Sequence, residues 1–487
     1  MDFLNKLFSK DVFYFFKEIS NIPRCSFNEQ KISDYIVNFA KERNLQYYQD
    51  ELFNVVIKKE ASSGYEKLPS IAIQGHLDMV CEKNHYIEHD FSLDPIKWII
   101  KDNMIYADNT TLGADNGIAI AMALAILNSN DIMHPPLEAI FTAQEETGLT
   151  GARFLDKNAV DSRILINIDS EKEGQFLSGC AGGLKSCIKL PIQTTLIHNE
   201  FETYKLSISG LVGGHSGTQI HLGRGNALCI LGRILNDIQR FLQFEIIDIA
   251  GGSKDNVIPR EAYAVVAISS GNHSILNNLV LEWNDILKQE LMDKDDAICV
   301  KVESVESKTS EVLNIKSKKN LLYILNLHPN GVYTMSSQIN GLVESSLNLG
   351  VLYIDNYHIY FKSAVRSSVK TIKSDIEHKL RLLSAQTESV IYITDEYSEW
   401  KINPKSKIRD LFKDRYEYLF DSKPEITAVH MAVECGIFEE KFGDIDMISF
   451  GPDIYDIHSP DEHLSINSVD NCYKLLVDVL KNTLYFF

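Results

Sequence analysis

Between residues 52 and 170 the chain alternates short apolar runs, NVVIK, SIAIQG, LEAIFTA and ILINID, with the helix-like stretch GIAIAMALAIL. Strands separated by helices need crossover connections, which predicts a parallel or mixed sheet with helices on both faces. The runs are almost wholly apolar rather than alternating, as strands covered on both sides should be. The first twenty residues, MDFLNKLFSKDVFYFFKEIS, scatter Asp2, Lys6, Lys10, Asp11, Lys17 and Glu18 among apolar residues. They read as an amphipathic helix, without the apolar core of a secretory signal.

At 487 residues the chain is too long for one ordinary domain. After the glycine-rich CAGG at Cys180–Gly183 the texture changes to period-two strands, YKLSISG and YAVVAIS, followed by the helical SILNNLVLEWNDILKQEL and the strand AICVKVESV. A similar order, VLYIDN, YHIYFKSAV, SDIEHKLRLLSAQ and SVIYITDEY, returns further along, which predicts two related α+β halves. From residue 400 the first texture resumes. The expected organisation is therefore α/β: a mixed-sheet domain over 1–184 and 400–487, with an α+β domain over 185–399 inserted into it.

Charge and cysteine usage narrow the function. The net charge of −19, from 48 Lys plus Arg against 67 Asp plus Glu, disfavours nucleic acid and anionic membrane as partners. The longest apolar run, Ile118–Leu127, is too short to span a bilayer. Eight single cysteines without CxxC spacing predict free, buried thiols in a reducing cytoplasm.

The informative residues stand where apolar runs end, the place where open α/β sheets build their sites. SIAIQGHLDMV delivers His76 and then Asp78, and a carboxylate two residues on can orient an imidazole that binds a metal. Alone this is a common surface pair. TTLGADNG places Asp115 in a glycine-flanked turn before the buried helix, where a simple N-cap is the competing reading. LEAIFTAQEETG ends in Glu145 and Glu146, which on an extended chain point opposite ways, so that one can ligate a metal and the other reach a water. Asp169 closes ILINID, and His458 lies in the Pro-containing loop of FGPDIYDIHSPDEH. His76, Asp115, Glu146, Asp169 and His458 form a nitrogen and oxygen donor set suited to zinc or a similar divalent ion. Five ligands exceed one tetrahedral ion with an open position, but suit two ions bridged by one carboxylate.

The motifs GHLDMV, TTLGADNG, AQEETG, NIDSE, CAGG, GGHSG, NVIPRE, ESSLNLG, VECG and IHSPDEH occur in an order that resembles the aminoacyl-histidine (Xaa-His, carnosine-cleaving) dipeptidases of the M20 zinc metallopeptidase family. The resemblance covers essentially the whole chain. It implies that His76, Asp115 and Asp169 hold one Zn²⁺ and Asp115, Glu146 and His458 a second, with Co²⁺ or Mn²⁺ able to substitute. Glu145 would be the general base to a metal-activated water, and Asp78 the support of His76. The inserted domain would be a lid and dimerisation domain, giving a cytoplasmic homodimer. Its His215, in GGHSG, would approach the scissile carbonyl, and Asn256 and Arg366 would bind the carboxylate of a small peptide substrate. Taken bare, His215 and Asn256 are turn residues and Arg366 is a surface charge.

An M20-type peptidase or N-acyl-amino-acid hydrolase of other specificity is the alternative. A non-catalytic zinc- and peptide-binding relative would need neither Glu145 nor His215. Met431 and Ala432 stand where the family usually has small residues including a glycine, and Thr218 and Gln219 are atypical, which bears on the preference for histidine. His430 and His463, next to site motifs, read as core or supporting residues. The other nine histidines, His198 among them, receive no role.

Overall fold

A computed structural model describes residues 4–197, 201–306 and 310–487. Met1–Phe3, at the start of the expected first helix, and His198 lie outside these. The chain forms two compact units, one of Met1–Cys180, Trp400–Val429 and Val433–Phe487, the other of Ala181–Glu399 and His430–Ala432.

The first unit is built on an eight-stranded mixed sheet in the order Gln46–Gln49, Val55–Lys59, Leu137–Thr142, Ile71–His76, Ile164–Asn167, Asp446–Ser449, Gln175–Cys180 and Glu425–Val429. Its middle three strands from Leu137–Thr142 to Ile164–Asn167 are mutually parallel. The helix Lys10–Ser20 buries Val12, Phe13, Phe15, Phe16 and Ile19 as one stripe. The helix Ala114–Asn128 is instead apolar nearly all round and buried throughout Ile118–Leu127. Gly75 lets that helix come close: a Cβ there would sit 2.5 Å from Asn116 Oδ1 and 2.6 Å from the Ala119 Cβ.

The second unit carries a nine-stranded antiparallel sheet. Eight strands run in the order Cys299–Ser304, Phe201–Ser209, Ala262–Ser269, Phe244–Gly252, Val343–Ile354, His358–Ser367, Gly182–Pro191 and Val390–Tyr397, and Gly331–Met335 pairs beside Val343–Ile354. With helices Ala227–Ile238 and His273–Glu290 in one half, and Ile315–Leu327 and Lys370–Gln386 in the other, the two halves share a βαββαβ order, to which the second adds Gly331–Met335. They meet where Gly251 and Gly252 pair with Leu352 and Val351. The first strand of the second half is Gly182–Pro191, so the first half is inserted within the second and the repeat is interrupted along the chain.

The expectation of eight free thiols needs correction. Cys25 and Cys81 form a disulfide, because Cys25 pairs with Met79 in a short parallel bridge and Met79 N–H donates to the Arg24 carbonyl, bringing the two Cα atoms to 5.7 Å. Of the other six, Cys180, Cys435 and Cys472 are buried, and Cys187, Cys229 and Cys299 are only half-buried. Among the described residues no helix is long and apolar enough to cross a membrane.

Candidate active site

Because Ile71–His76, Leu137–Thr142 and Ile164–Asn167 are parallel neighbours, in register at His76 with Thr142 and at Gln74 with Asn167, their carboxyl ends reach one edge of the sheet. His76, the turn carrying Glu145 and Glu146, and Asp169 emerge there together. Asp115 arrives from the helix opposite. It is not a side-chain N-cap: Gly113 occupies that position, and at Asp115 (φ −81°, ψ 108°) the backbone leaves helical geometry, with a cis Asp115–Asn116 peptide. Asn116, admitted by Gly75, accepts from His76 N–H at 3.2 Å and donates to the Ile168 carbonyl.

The five residues singled out as ligands are brought together. His76 Nε2 lies 3.1 Å from Asp115 Oδ1 and 3.6 Å from Asp169 Oδ1. His458 Nε2 lies 3.2 Å from Asp115 Oδ2 and 2.9 Å from Glu146 Oε1. Within each of the groups His76, Asp115, Asp169 and Asp115, Glu146, His458 the ligand atoms fall within 4.8 Å of one another, as they do for His76, Glu145 and Glu146. Asp115 thus offers one oxygen to each imidazole, the geometry of a bridging carboxylate.

Electrostatics test whether this set fits cations. Burial pushes the Asp169 carboxyl up to about 6, with Asp115 and Glu146 adding their repulsion. Burial likewise raises Glu145 well above the usual range, helped by Asp169, Glu434 and Glu146, and raises Glu434 to about 8. Hydrogen bonds to Asp115 and Glu146 lift His458 to about 10. For His76 burial opposes the charge, yet hydrogen bonds to Asp115, Asp169 and Asp78 raise it well above its ordinary value. The buried carboxylates thus draw both imidazoles toward their positively charged form. Divalent cations can supply that charge instead by displacing protons, and the nitrogen and oxygen donors suit zinc-like ions.

Asp78 is fully buried and organises the centre. His76 Nδ1 faces the Asp78 carbonyl at 3.1 Å and Oδ1 at 3.3 Å, so Asp78 holds that side of the ring and Nε2 is the nitrogen turned toward the ligand carboxylates. The same carboxylate accepts from Glu145 N–H at 3.0 Å and Glu146 N–H at 3.2 Å. Glu145 and Glu146 therefore do not sit on an extended chain as expected. Gln144 takes φ 52°, and the two glutamates stand on the turn that follows the strand. Their separate directions come from the turn rather than from strand alternation.

Two supporting residues escaped the sequence reading. Glu462, 2% exposed, accepts four consecutive backbone N–H groups, from Leu112, Gly113, Ala114 and Asp115, at 2.7 to 3.3 Å. Arg24 is buried too, donating through Nη1 to the Leu77 and Asp78 carbonyls and through Nη2 to the Gly113 carbonyl. Glu462 stands within IHSPDEH, so its motif was visible although its role was not. Arg24 left no signal.

His215, Asn256 and Arg366 belong to the second unit and lie near one another there. His215 pairs with Val257, and Ser216 N–H donates to the Asn256 carbonyl at 2.9 Å. His215 Nδ1 accepts from Gly217 N–H and Thr218 N–H, both at 3.3 Å, so the ring proton is on Nε2. Burial and then the Arg366 charge lower the His215 pKa, which keeps the ring neutral. Arg366 is half-buried in its strand rather than a free surface charge. It donates from Nη1 to Tyr397 Oη at 2.9 Å, while its buried Nε has no partner among the described residues. His430 bonds Ser346 Oγ at 2.7 Å, and His463 stacks between Tyr106 and Tyr455, so both are supporting residues.

The chain is 37% identical over 485 residues to the cytosol non-specific dipeptidase of Escherichia coli (strain K12), covering 99% of each chain. The crystal structure of aminoacylhistidine dipeptidase from Vibrio alginolyticus superposes with a TM-score of 0.93 at 37% identity, over 98% of this chain and 97% of that one. Aminopeptidase PepT from Bacillus cereus ATCC 10987, at 14% identity and a TM-score of 0.57 over 98% and 99% of the two chains, shares the fold. The family model of peptidase family M20/M25/M40 matches residues 72–482, and the chain belongs to that family.

Proposed function

We propose that this protein is a dipeptidase with a two-cation centre, that the cations are Zn²⁺, and that Xaa-His dipeptides are among its substrates. The observation that supports it most is the bridging placement of Asp115, one oxygen toward His76 and the other toward His458. In this reading His76, Asp115 and Asp169 hold one cation, and Asp115, Glu146 and His458 the other. Such cations supply Lewis-acid polarisation of the peptide carbonyl and a water of lowered pKa.

The chain's own groups do the rest. Glu145 takes the water's proton and hands it to the leaving amine, a task suited to a carboxylate whose affinity for a proton burial has raised. Asp78 fixes both the His76 ring and the amide of Glu145. The family resemblance gives His215 the role of donor to the developing oxyanion, and its Nε2–H tautomer suits that role. Arg366, whose Nε has no partner among the described residues, and Asn256 would receive the substrate carboxylate. A cytosolic location is supported by the description of the Escherichia coli relative. The homodimer rests on the resemblance, and sedimentation at the 55.2 kDa of a single chain would remove it.

The relatives differ in stated specificity, so a substrate panel tests the reading. Hydrolysis of β-Ala-His and Leu-His is compared with Leu-Gly and Leu-Gly-Gly, before and after chelation. Chelator-sensitive cleavage of dipeptides that include Leu-His, with Leu-Gly-Gly spared, is expected. Cleavage of Leu-Gly but not of the histidine dipeptides would discard the histidine assignment, and cleavage that ignores the chelator would discard the centre.

A further inference from the structure

Between the helices Lys10–Ser20 and Gln30–Glu42 runs the segment Arg24–Glu29, RCSFNE, which touches three of the segments that carry metal-centre candidates, those of His76, Asp115 and Glu146. Arg24 holds the Leu77, Asp78 and Gly113 carbonyls. Cys25 is tied to Cys81 by the disulfide. Ser26 Oγ donates to Asp78 Oδ2 at 2.8 Å. The fourth contact comes from Glu29, which is 1% exposed.

Glu29 occupies the N-cap position of Gln30–Glu42, where a short polar side chain such as Asp or Ser would accept from the helix's own first amides. It makes no such bond. Its Oε1 accepts instead from Phe27 N–H at 3.0 Å and from Gln144 N–H at 3.1 Å, 115 residues away, while Oε2 is buried without a hydrogen-bond partner among the described residues. A carboxylate removed from water and turned away from its local cap is costly unless another contact requires it.

The Gln144 contact supplies that requirement. Gln144 is a non-glycine residue at φ 52°, a conformation that persists where the surroundings determine it. Three consecutive amides of the turn, those of Gln144, Glu145 and Glu146, are each held by a buried carboxylate: the first by Glu29, the next two by Asp78. Asp78 holds the turn beside His76, and Glu29 holds the amide at which the chain enters it, one residue before Glu145.

We propose that Glu29 is a positioning residue for the proposed general base, holding the Gln144 amide so that Glu145 is aimed at the water and the leaving amine. The proposal rests on the reading of Glu145 above. A displacement of about 1 Å in such a group can cost about 10²-fold in rate, and supporting partners of a site typically contribute about 10 to 100-fold.

The test measures kcat, KM and bound zinc for Glu29→Ala, Glu29→Asp and Glu29→Gln beside Glu145→Gln in the full chain. Glu29→Ala and the shortened Glu29→Asp are expected to lower kcat about 10-fold or more, with KM within about twofold and the zinc content unchanged. Glu29→Gln keeps an oxygen in reach of the Gln144 amide and is expected to recover most of kcat. A merely structural role would instead lower folding and zinc content together, without the split between kcat and KM and without recovery by Gln. Wild-type kcat in Glu29→Ala overturns the proposal, as does wild-type kcat in Glu29→Asp should the alanine variant not fold. Wild-type kcat in Glu145→Gln overturns the reading of the base itself, whereas an inactive Glu145→Gln beside a fully active Glu29→Ala refutes the Glu29 proposal alone.

Discussion

Glu145→Gln is expected to lower kcat by about 10² to 10⁴-fold, the range typical for loss of a general base. The change removes a proton acceptor while keeping the size of the side chain. Metal content should be unaffected, because Glu146 rather than Glu145 faces His458 and because Asp78 holds the turn through backbone amides, which the substitution leaves in place. It also removes a carboxyl from a crowded, buried cluster, so the variant should fold at least as well as the parent. Steady-state kinetics with metal analysis on the same preparation checks both halves. Near-full activity would assign the proton transfer elsewhere.

Asp115→Ala should have the opposite signature, with metal and activity lost together. Among the described residues Asp115 is the one carboxylate whose two oxygens face both imidazoles, so its removal strips a donor from both proposed cation sites. It is also held below the usual carboxylate range: burial opposes its charge, but hydrogen bonds from His458 and His76 prevail. The substitution therefore takes away the negative charge best able to stay ionised. Cation binding should weaken by more than the about 10 to 100-fold typical of outer supporting partners, and hydrolysis should fall to background. Calorimetric zinc titration beside the dipeptide assay measures this. Two tightly held ions in Asp115→Ala would contradict the bridging assignment.

The residues that the sequence revealed share a local cause. Apolar runs that end abruptly in His76, Glu145 or Asp169 mark strand ends, and the glycine-flanked Asp115 marks a turn before a buried helix. Each signal lies within a few residues of the group it identifies, so the mixed-sheet fold and the candidate ligands could be read together. What stayed hidden acts at a distance or through the backbone. Glu462 meets the Leu112–Asp115 amides across 347 to 350 residues, and Arg24 meets the Leu77 and Gly113 carbonyls across 53 and 89. Such contacts follow no periodicity, because their partners are main-chain atoms that every residue type supplies. The Cys25–Cys81 disulfide joins two side chains, but across 56 residues and with no motif spacing to pair them. The left-handed Gln144 defeated the expectation of an extended chain at Glu145 and Glu146, since nothing in the residue type announces a positive φ.

The most direct measurement of the two-cation centre is a titration of the chelated wild-type protein with Zn²⁺, counting bound ions while following histidine release from Leu-His. Two tightly bound ions per chain, with activity absent before zinc and restored as the sites fill, is the predicted result. Full turnover in the chelated protein, or saturation of binding and activity at a single ion, would contradict a centre bridged by Asp115.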